Sequence, residues 1–220
     1  MNYLAAAIGY ILDPGHWSGY LGIGHLMAQH VLYSLLGVGL SAIIGMPLGW
    51  WVGHTGRGRG LLVSASGAVR ALPTLGLITL FGLALGIGLL ALIILALPSV
   101  LAGAYTGVES ADPIAVDAAR AAGMSEFQVL ARVEIPLGAP LLVGGLRSAG
   151  LQVIATATLA AYTGAGGLGR LMFLGLKTQD YVMMLASSLL VIALALVSEA
   201  FFTLLQRVVR PVGVRDRKAP

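Results

Sequence analysis

Apolar residues along most of this chain neither alternate nor recur as stripes; they run on without interruption. Five stretches rich in Leu, Ala, Gly, Val and Ile, roughly 31–53, 61–85, 88–108, 137–161 and 182–206, each have the length that a bilayer-crossing helix requires. Polar residues collect in the breaks: HTGRGRG at 54–60, GIG at 86–88, a charged connection at 109–136, TGAGGLGRLMFLGLKTQD at 163–180, and RVVRPVGVRDRKAP at the end. The pattern predicts an all-α integral membrane protein with five transmembrane helices. An odd number of crossings puts the two ends on opposite sides. Before the first run, MNYLAAAIGYILDPGHW meets Asp13-Pro14 after about ten apolar residues, too few to span. With no basic leader, residues 1–24 read as an extracytoplasmic, interfacial segment and not as a cleaved signal peptide.

Composition agrees with the pattern, since 58% of the 220 residues are hydrophobic and 10% are charged, against about 25% charged in soluble domains. Charge then gives the chain a direction. Arg57, Arg59, Arg120, Arg132, Arg207, Arg210, Arg215, Arg217 and Lys218 fall on one predicted side, and only Arg170 and Lys177 on the other. Cytoplasmic loops are enriched in Lys and Arg, so the N-terminus is expected outside, the C-terminus inside with a basic cytoplasmic tail at 207–220, and the 109–136 connection in the cytoplasm. The net charge of +4 reflects this sidedness and calls for no nucleic acid. The absence of cysteine excludes disulfides and thiolate metal sites.

The connection carries its own punctuation. Asp112-Pro113 is a helix start, Asp capping free N–H groups and Pro fitting the first helical position. Gly123 stops that helix, Ser125-Glu126-Phe127-Gln128 has capping-box spacing for a second, and Ile135-Pro136 ends it. Two short helices are therefore predicted, about 113–122 and 126–134. Ala118, Ala119 and Ala122 give the first a low-relief face that another protein's groove can approach. Asp117, Arg120, Glu126 and Arg132 border it, and Phe127, Leu130 and Val133 are spaced to anchor the second helix under the membrane domain. Two readings stand at this point: a docking element, or a solvated loop that joins two spans.

Asp117-Ala118-Ala119, three residues, Gly123, nine residues, then Val133-Glu134-Ile135-Pro136 resembles the EAA loop of ABC importer permeases, with Asp for Glu, Val for Ile and Ile for Leu. LPTLGLITLFGLALGIG, AYTGV, EIPLGAPLLVGGLRSA and TATLAAYTGAGGLGRLMFLGL are similar to stretches of osmoprotectant importer permeases, so the resemblance runs from about residue 25 onward. It implies a MetI-like, type I importer architecture with a cytoplasmic coupling helix in a permease domain at 25–206. The partners it implies are cytoplasmic ATPase subunits, a second permease subunit and an extracytoplasmic solute-binding protein, in a bacterial cytoplasmic membrane. ATP and its magnesium belong to the partner ATPase, so this chain is expected to bind no cofactor. Asp117, Ala118, Ala119, Gly123, Met124, Ser125, Glu126 and Pro136 are the coupling residues on this resemblance. The solutes implied are glycine betaine, choline, carnitine and related quaternary amines.

Other features carry less. Gly164 to Gly169 spell G-x-G-x-x-G, but a membrane span precedes them where a dinucleotide site needs a strand and a later acidic residue. A flexible outer turn, close helix packing, or a gate formed with Gly164, Gly166, Gly167, Gly169, Tyr162 and Pro73 remain as readings. Gly45, Gly49 and Gly53 mark a face for close helix packing within the subunit, and Pro47 and Pro73 are possible kinks. Arg70, Arg147 and Glu199 lie inside apolar runs, where a charge costs about 2.5–3.5 kcal/mol on insertion scales, so Glu199 is expected either to pair with Arg147 or Arg70 or to snorkel. His16, His25, His30 and His54 have no metal spacing and read as interfacial; no metal site is expected. Trp50, Trp51, Tyr105, Tyr162 and Phe173 suit cation–π binding of a quaternary ammonium, but aromatics at span ends are more often bilayer anchors. Without a nucleophile set, paired carboxylates or a P-loop, ATP hydrolysis falls to another chain. Alternatives are an importer permease for methionine or phosphonate, a self-contained channel or carrier, and a membrane-embedded enzyme.

Overall fold

The computed structural model describes residues 2–210. Arg215, Arg217 and Lys218 of the expected tail lie outside the described residues. Ten α-helices follow in order: α1 (Tyr3–Leu12), α2 (Ile23–Thr55), α3 (Arg59–Ala71), α4 (Thr74–Thr79), α5 (Gly88–Glu109), α6 (Pro113–Ala121), α7 (Glu126–Val129), α8 (Ile135–Ala160), α9 (Gly169–Thr178) and α10 (Tyr181–Val208). Among the described residues there is no strand. Four helical stretches, Ile23–Thr55, Gly88–Glu109, Glu126–Thr163 and Tyr181–Val208, are long and apolar enough to cross a bilayer; α3 with α4 makes a fifth only as a broken pair.

Two boundaries differ from the sequence expectation, both at proline. The run 61–85 is not one helix: it stops at Ala71 and resumes at Thr74, because Pro73 has no N–H to donate and holds Leu72 out of helical geometry. Conversely, Ile135-Pro136 does not end α7. A π-turn over Leu130–Glu134 follows it, with the Ile135 N–H donating to the Leu130 carbonyl five residues back, and the chain continues helically into α8. The widened turn shifts the register just before Pro136, so the missing N–H interrupts no ordinary ladder. The expected outer loop at 163–180 also contains a helix, α9.

The chain forms two compact units. One comprises the residues through Gly39, with Ala71–Ala96 and Gly150–Ser198. Its core is Ile23, Leu26, Leu168, Leu171 and Leu190, with a second cluster of Ile78, Ala91 and Ala160. His30, expected at an interface, is instead wholly buried here, its Nε2–H donating to the Ile154 carbonyl at 3.0 Å. One satisfied donor makes a neutral imidazole tolerable among apolar neighbours.

The other unit comprises Leu40–Arg70, Leu97–Ala149 and the residues from Glu199 on. Glycine brings its helices together. A Cβ at Gly49 would lie 2.6 Å from the Ala104 Cβ, and one at Gly53 would lie 2.8 Å from the Tyr105 carbonyl, so the Gly45, Gly49 and Gly53 face packs α2 on α5 within the subunit. On its other side α5 meets α8 at Gly103 against Gly145 and Gly107 against Gly138, backbone on backbone. Arg147 on α8 and Glu199 on α10 form a two-pronged ion pair, Nε to Oε2 at 2.6 Å and Nη2 to Oε1. Arg70 is not part of it.

Candidate functional site

The charged connection folds as its caps dictate. Asp112 Oδ1 accepts from the Ile114 N–H at 2.9 Å, and Ser125 and Gln128 form a reciprocal capping box. Gly123, at φ +84°, closes α6: its N–H donates to Arg120 and that of Met124 reaches back to Ala119. A left-handed residue is needed there, and only glycine enters that region without strain. Met124 packs on a small core of Ala111, Val116, Ala119 and Val129, which holds α6 against α7.

That core reverses two expected roles. Ala119 is buried at 8% exposure and faces the chain's own interior, so it is not part of an outward face; Asp117, Ala118 and Ala122 are exposed. Phe127, expected as an anchor, is 78% exposed, and Val129 does the anchoring at 0%. Helical phase decides this: with Val116 and Ala119 turned inward on α6, Ile114 and Ala118 must point outward. Ile114 is 79% exposed. The outward surface is therefore Ile114, Asp117, Ala118 and Phe127, two bulky apolar side chains around a small one. Pro136 is also exposed.

A charge network ties this surface to α2. Arg120 on α6 donates to both carboxylate oxygens of Glu126 on α7, at 3.0 Å each, and lies 3.5 Å from Asp117. These hydrogen bonds hold the Glu126 carboxyl below its ordinary range and raise the Arg120 guanidinium further. Glu126 is also 3.2 Å from Nε2 of His54, whose Nδ1 is 2.6 Å from the buried Glu134 carboxylate at the root of α8. His54, expected at an interface, thus sits between two carboxylates. Sequence reasoning missed His54 and Glu134 as partners, because they are 80 positions apart and the loop spacing that contains Glu134 says nothing of a histidine on an earlier helix.

The glycine-rich turn belongs to the other unit. Gly164, Gly166 and Gly167 have φ of +86°, +90° and +76°. The Gly167 N–H donates to Gln29 Oε1 at 3.1 Å, and a Cβ at Gly166 would fall 2.5 Å from the same atom. A Cβ on Gly169 would collide with the Thr158 carbonyl. The turn is packed closely against α2 and α8, which disfavours the reading of mere flexibility. Gly164, with Thr163, Tyr33, Gly82 and Gly88, also lines a largely apolar cleft of 730 Å³. Tyr162 is exposed, its ring 5.6 Å from that of Phe173; Pro73 stands at the helix break and does not line the cleft.

Glycine-seamed helices long enough to span a bilayer, with a capped helix pair on their polar connection, define a multi-span membrane subunit. Residues 45–211 match the family described as binding-protein-dependent transport system inner membrane component, and the chain belongs to that family. It is thus a multi-pass inner-membrane permease subunit of an ABC transport system, a kind that works with a solute-binding protein and an ATPase. It is 36% identical to the osmoprotectant import permease protein OsmW of Salmonella typhimurium, over 94% of this chain and 99% of that protein. It is 29% identical to the glycine betaine/carnitine/choline transport system permease protein OpuCB of Bacillus subtilis, over 86% and 89% of the two chains. Its fold is that of the MetNI methionine ABC transporter, solved in inward-facing conformations, at a TM-score of 0.75 and 16% identity, covering 86% of this chain and 96% of that one.

Proposed function

We propose that this chain forms the translocation pathway of an ATP-driven importer for quaternary-ammonium osmoprotectants such as glycine betaine, choline and carnitine. The observation that carries the solute class is the 36% identity to an osmoprotectant permease across nearly the full length of both chains. The N-terminus is outside and the C-terminus cytoplasmic, on the Lys and Arg distribution. A second permease subunit completes the pathway, and two ATPases drive it.

On this reading Asp117, Ala118 and Gly123, with Ile114 and Phe127, present the surface that enters the ATPase groove. Exposed apolar side chains on a charged, water-facing connection support it, since a partner is the usual reason to leave them uncovered. The network from Arg120 through Glu126 and His54 to Glu134 then passes motion of that surface to α2 and α8. Gly164, Gly166, Gly167 and Gly169, with Tyr162 and Pro73, are gate elements beside the path. The test is uptake of labelled glycine betaine, choline and carnitine by cells whose own importers are deleted, expressing this chain with its ATPase and binding protein. Uptake of at least one that requires all three components is expected. Uptake of methionine or phosphonate, with none of the quaternary amines, rejects the solute assignment.

A further inference from the structure

Two cations lie inside the predicted spans, and only one has a counter-ion. Arg147 is neutralised by Glu199, whereas Arg70, eleven residues beyond Arg59 on α3, makes one hydrogen bond, from Nη2 to Ser99 Oγ at 3.3 Å, and no ion pair among the described residues. Eleven residues of helix carry Arg70 about 16 Å from Arg59 along the axis, within the apolar run 61–85 and next to the helix break. A guanidinium in an apolar run without a carboxylate is costly if it stays in lipid, and such a position is a functional candidate.

Hydroxyl-bearing residues stand among apolar ones around Arg70. Two clefts open on it. One, of 330 Å³, is lined by Ser66, Gly67, Tyr105 and Thr106; the other, of 310 Å³, by Ser99, Gly103, Gly145 and Ser148. Among the described residues, no acidic side chain lines either cleft. The Gly103–Gly145 backbone contact keeps the second cleft free of side-chain bulk, and Ser66 Oγ is buried without a hydrogen-bonding partner. A planar five-donor cation bonded to one hydroxyl, with others lining the adjoining clefts and no carboxylate among the described lining residues, matches an oxyanion.

We propose that Arg70, with Ser66, Ser99 and Ser148, is an oxyanion site within the membrane domain, and that its ligand is the carboxylate of a transported zwitterion. The solute part rests on the osmoprotectant reading above. Glycine betaine and carnitine carry a carboxylate; choline carries none. A guanidinium–carboxylate contact made on the path therefore distinguishes solutes that share the same quaternary head. A phospholipid phosphate offers the same chemistry, so the experiment separates the two sources.

The complete transporter, with its ATPase and binding protein, is reconstituted in liposomes containing phosphatidylglycerol, as wild type, Arg70→Gln and Arg70→Lys. Uptake of glycine betaine and choline is compared, and lipid retained by the purified complex is identified by native mass spectrometry. Arg70→Gln is expected to lower glycine betaine uptake relative to choline by roughly ten- to a hundredfold, the worth of one charge-assisted hydrogen bond. Arg70→Lys, which keeps the charge and loses the fork, is expected to fall between, and it decides the matter if Arg70→Gln does not assemble. Equal loss of both solutes together with loss of retained phosphatidylglycerol assigns the site to lipid phosphate and overturns the solute assignment. Unchanged solute discrimination with unchanged lipid overturns the site altogether. A wild-type complex that carries neither solute rejects the osmoprotectant reading, and lipid retention alone then decides whether Arg70 holds an oxyanion.

Discussion

Glu134 is a carboxylate at 6% exposure, and such a group is stable only with its charge answered. The His54 Nδ1 lies 2.6 Å from it, within hydrogen-bonding reach, while Glu126 on the far side of the ring is held by Arg120. Substituting His54 by Ala is expected to leave ATPase docking in place and to cut solute moved per ATP severalfold, measured as the ratio of uptake to hydrolysis in proteoliposomes; an unchanged ratio removes His54 from the coupling path. The Glu126 carboxyl, lowered by its bonds from Arg120, contributes stability that is fully present above the ordinary carboxylate range and lost only as pH falls through and below that range. Amide exchange in residues 113–129 should therefore stay slow through mildly acidic pH and quicken below it, and a Glu126→Gln variant should show no such step. Within the unit, Arg147→Glu or Glu199→Arg alone should destabilise by on the order of 3 kcal/mol, read as a lower melting temperature, with much of it restored in the double exchange. In the sequence, Glu199 is left to pair with Arg147, to pair with Arg70 or to snorkel, and the packed structure selects Arg147. His54 and Glu134 were not legible as partners, since a histidine beside a polar break carries no mark of what it will meet.

At the scale of elements, capping residues were the most readable signals: Asp112, Gly123 and Ser125 act where their chemistry places them. Proline was read less well, because its effect depends on the preceding turn; before Pro136 a π-turn absorbs the lost donor, whereas Pro73 breaks its helix. The faces of α6 and α7 were read partly wrong, since on short helices several phases satisfy the same apolar spacing and only the Val129 core chooses among them. The corrected phase makes a discriminating prediction. Ala119→Glu buries a charge in that core and should unfold the helix pair, whereas Ala118→Glu, on the outward face, should leave membrane insertion and folding intact and abolish ATPase association. Limited proteolysis and co-purification separate the two outcomes. Likewise Gly107→Leu, against the Gly138 backbone, should destabilise by about 1–3 kcal/mol or more and lower the yield of folded protein.

For the whole molecule, the membrane class followed from the apolar runs, and the permease reading with its partners from the resemblance of the loop to the EAA pattern, while the positions that connect the loop surface to the spans emerged only from the packed structure. The account holds that ATP hydrolysis on a partner reaches the solute path through Ile114, Asp117, Ala118 and Phe127. The most direct test is Phe127→Asp in the transporter reconstituted with its ATPase and binding protein, scored by uptake of glycine betaine and choline and by ATPase co-purification. The variant is expected to be a folded permease at wild-type yield that no longer retains the ATPase and shows no ATP-dependent uptake. Wild-type ATPase retention and uptake in that variant would contradict this route.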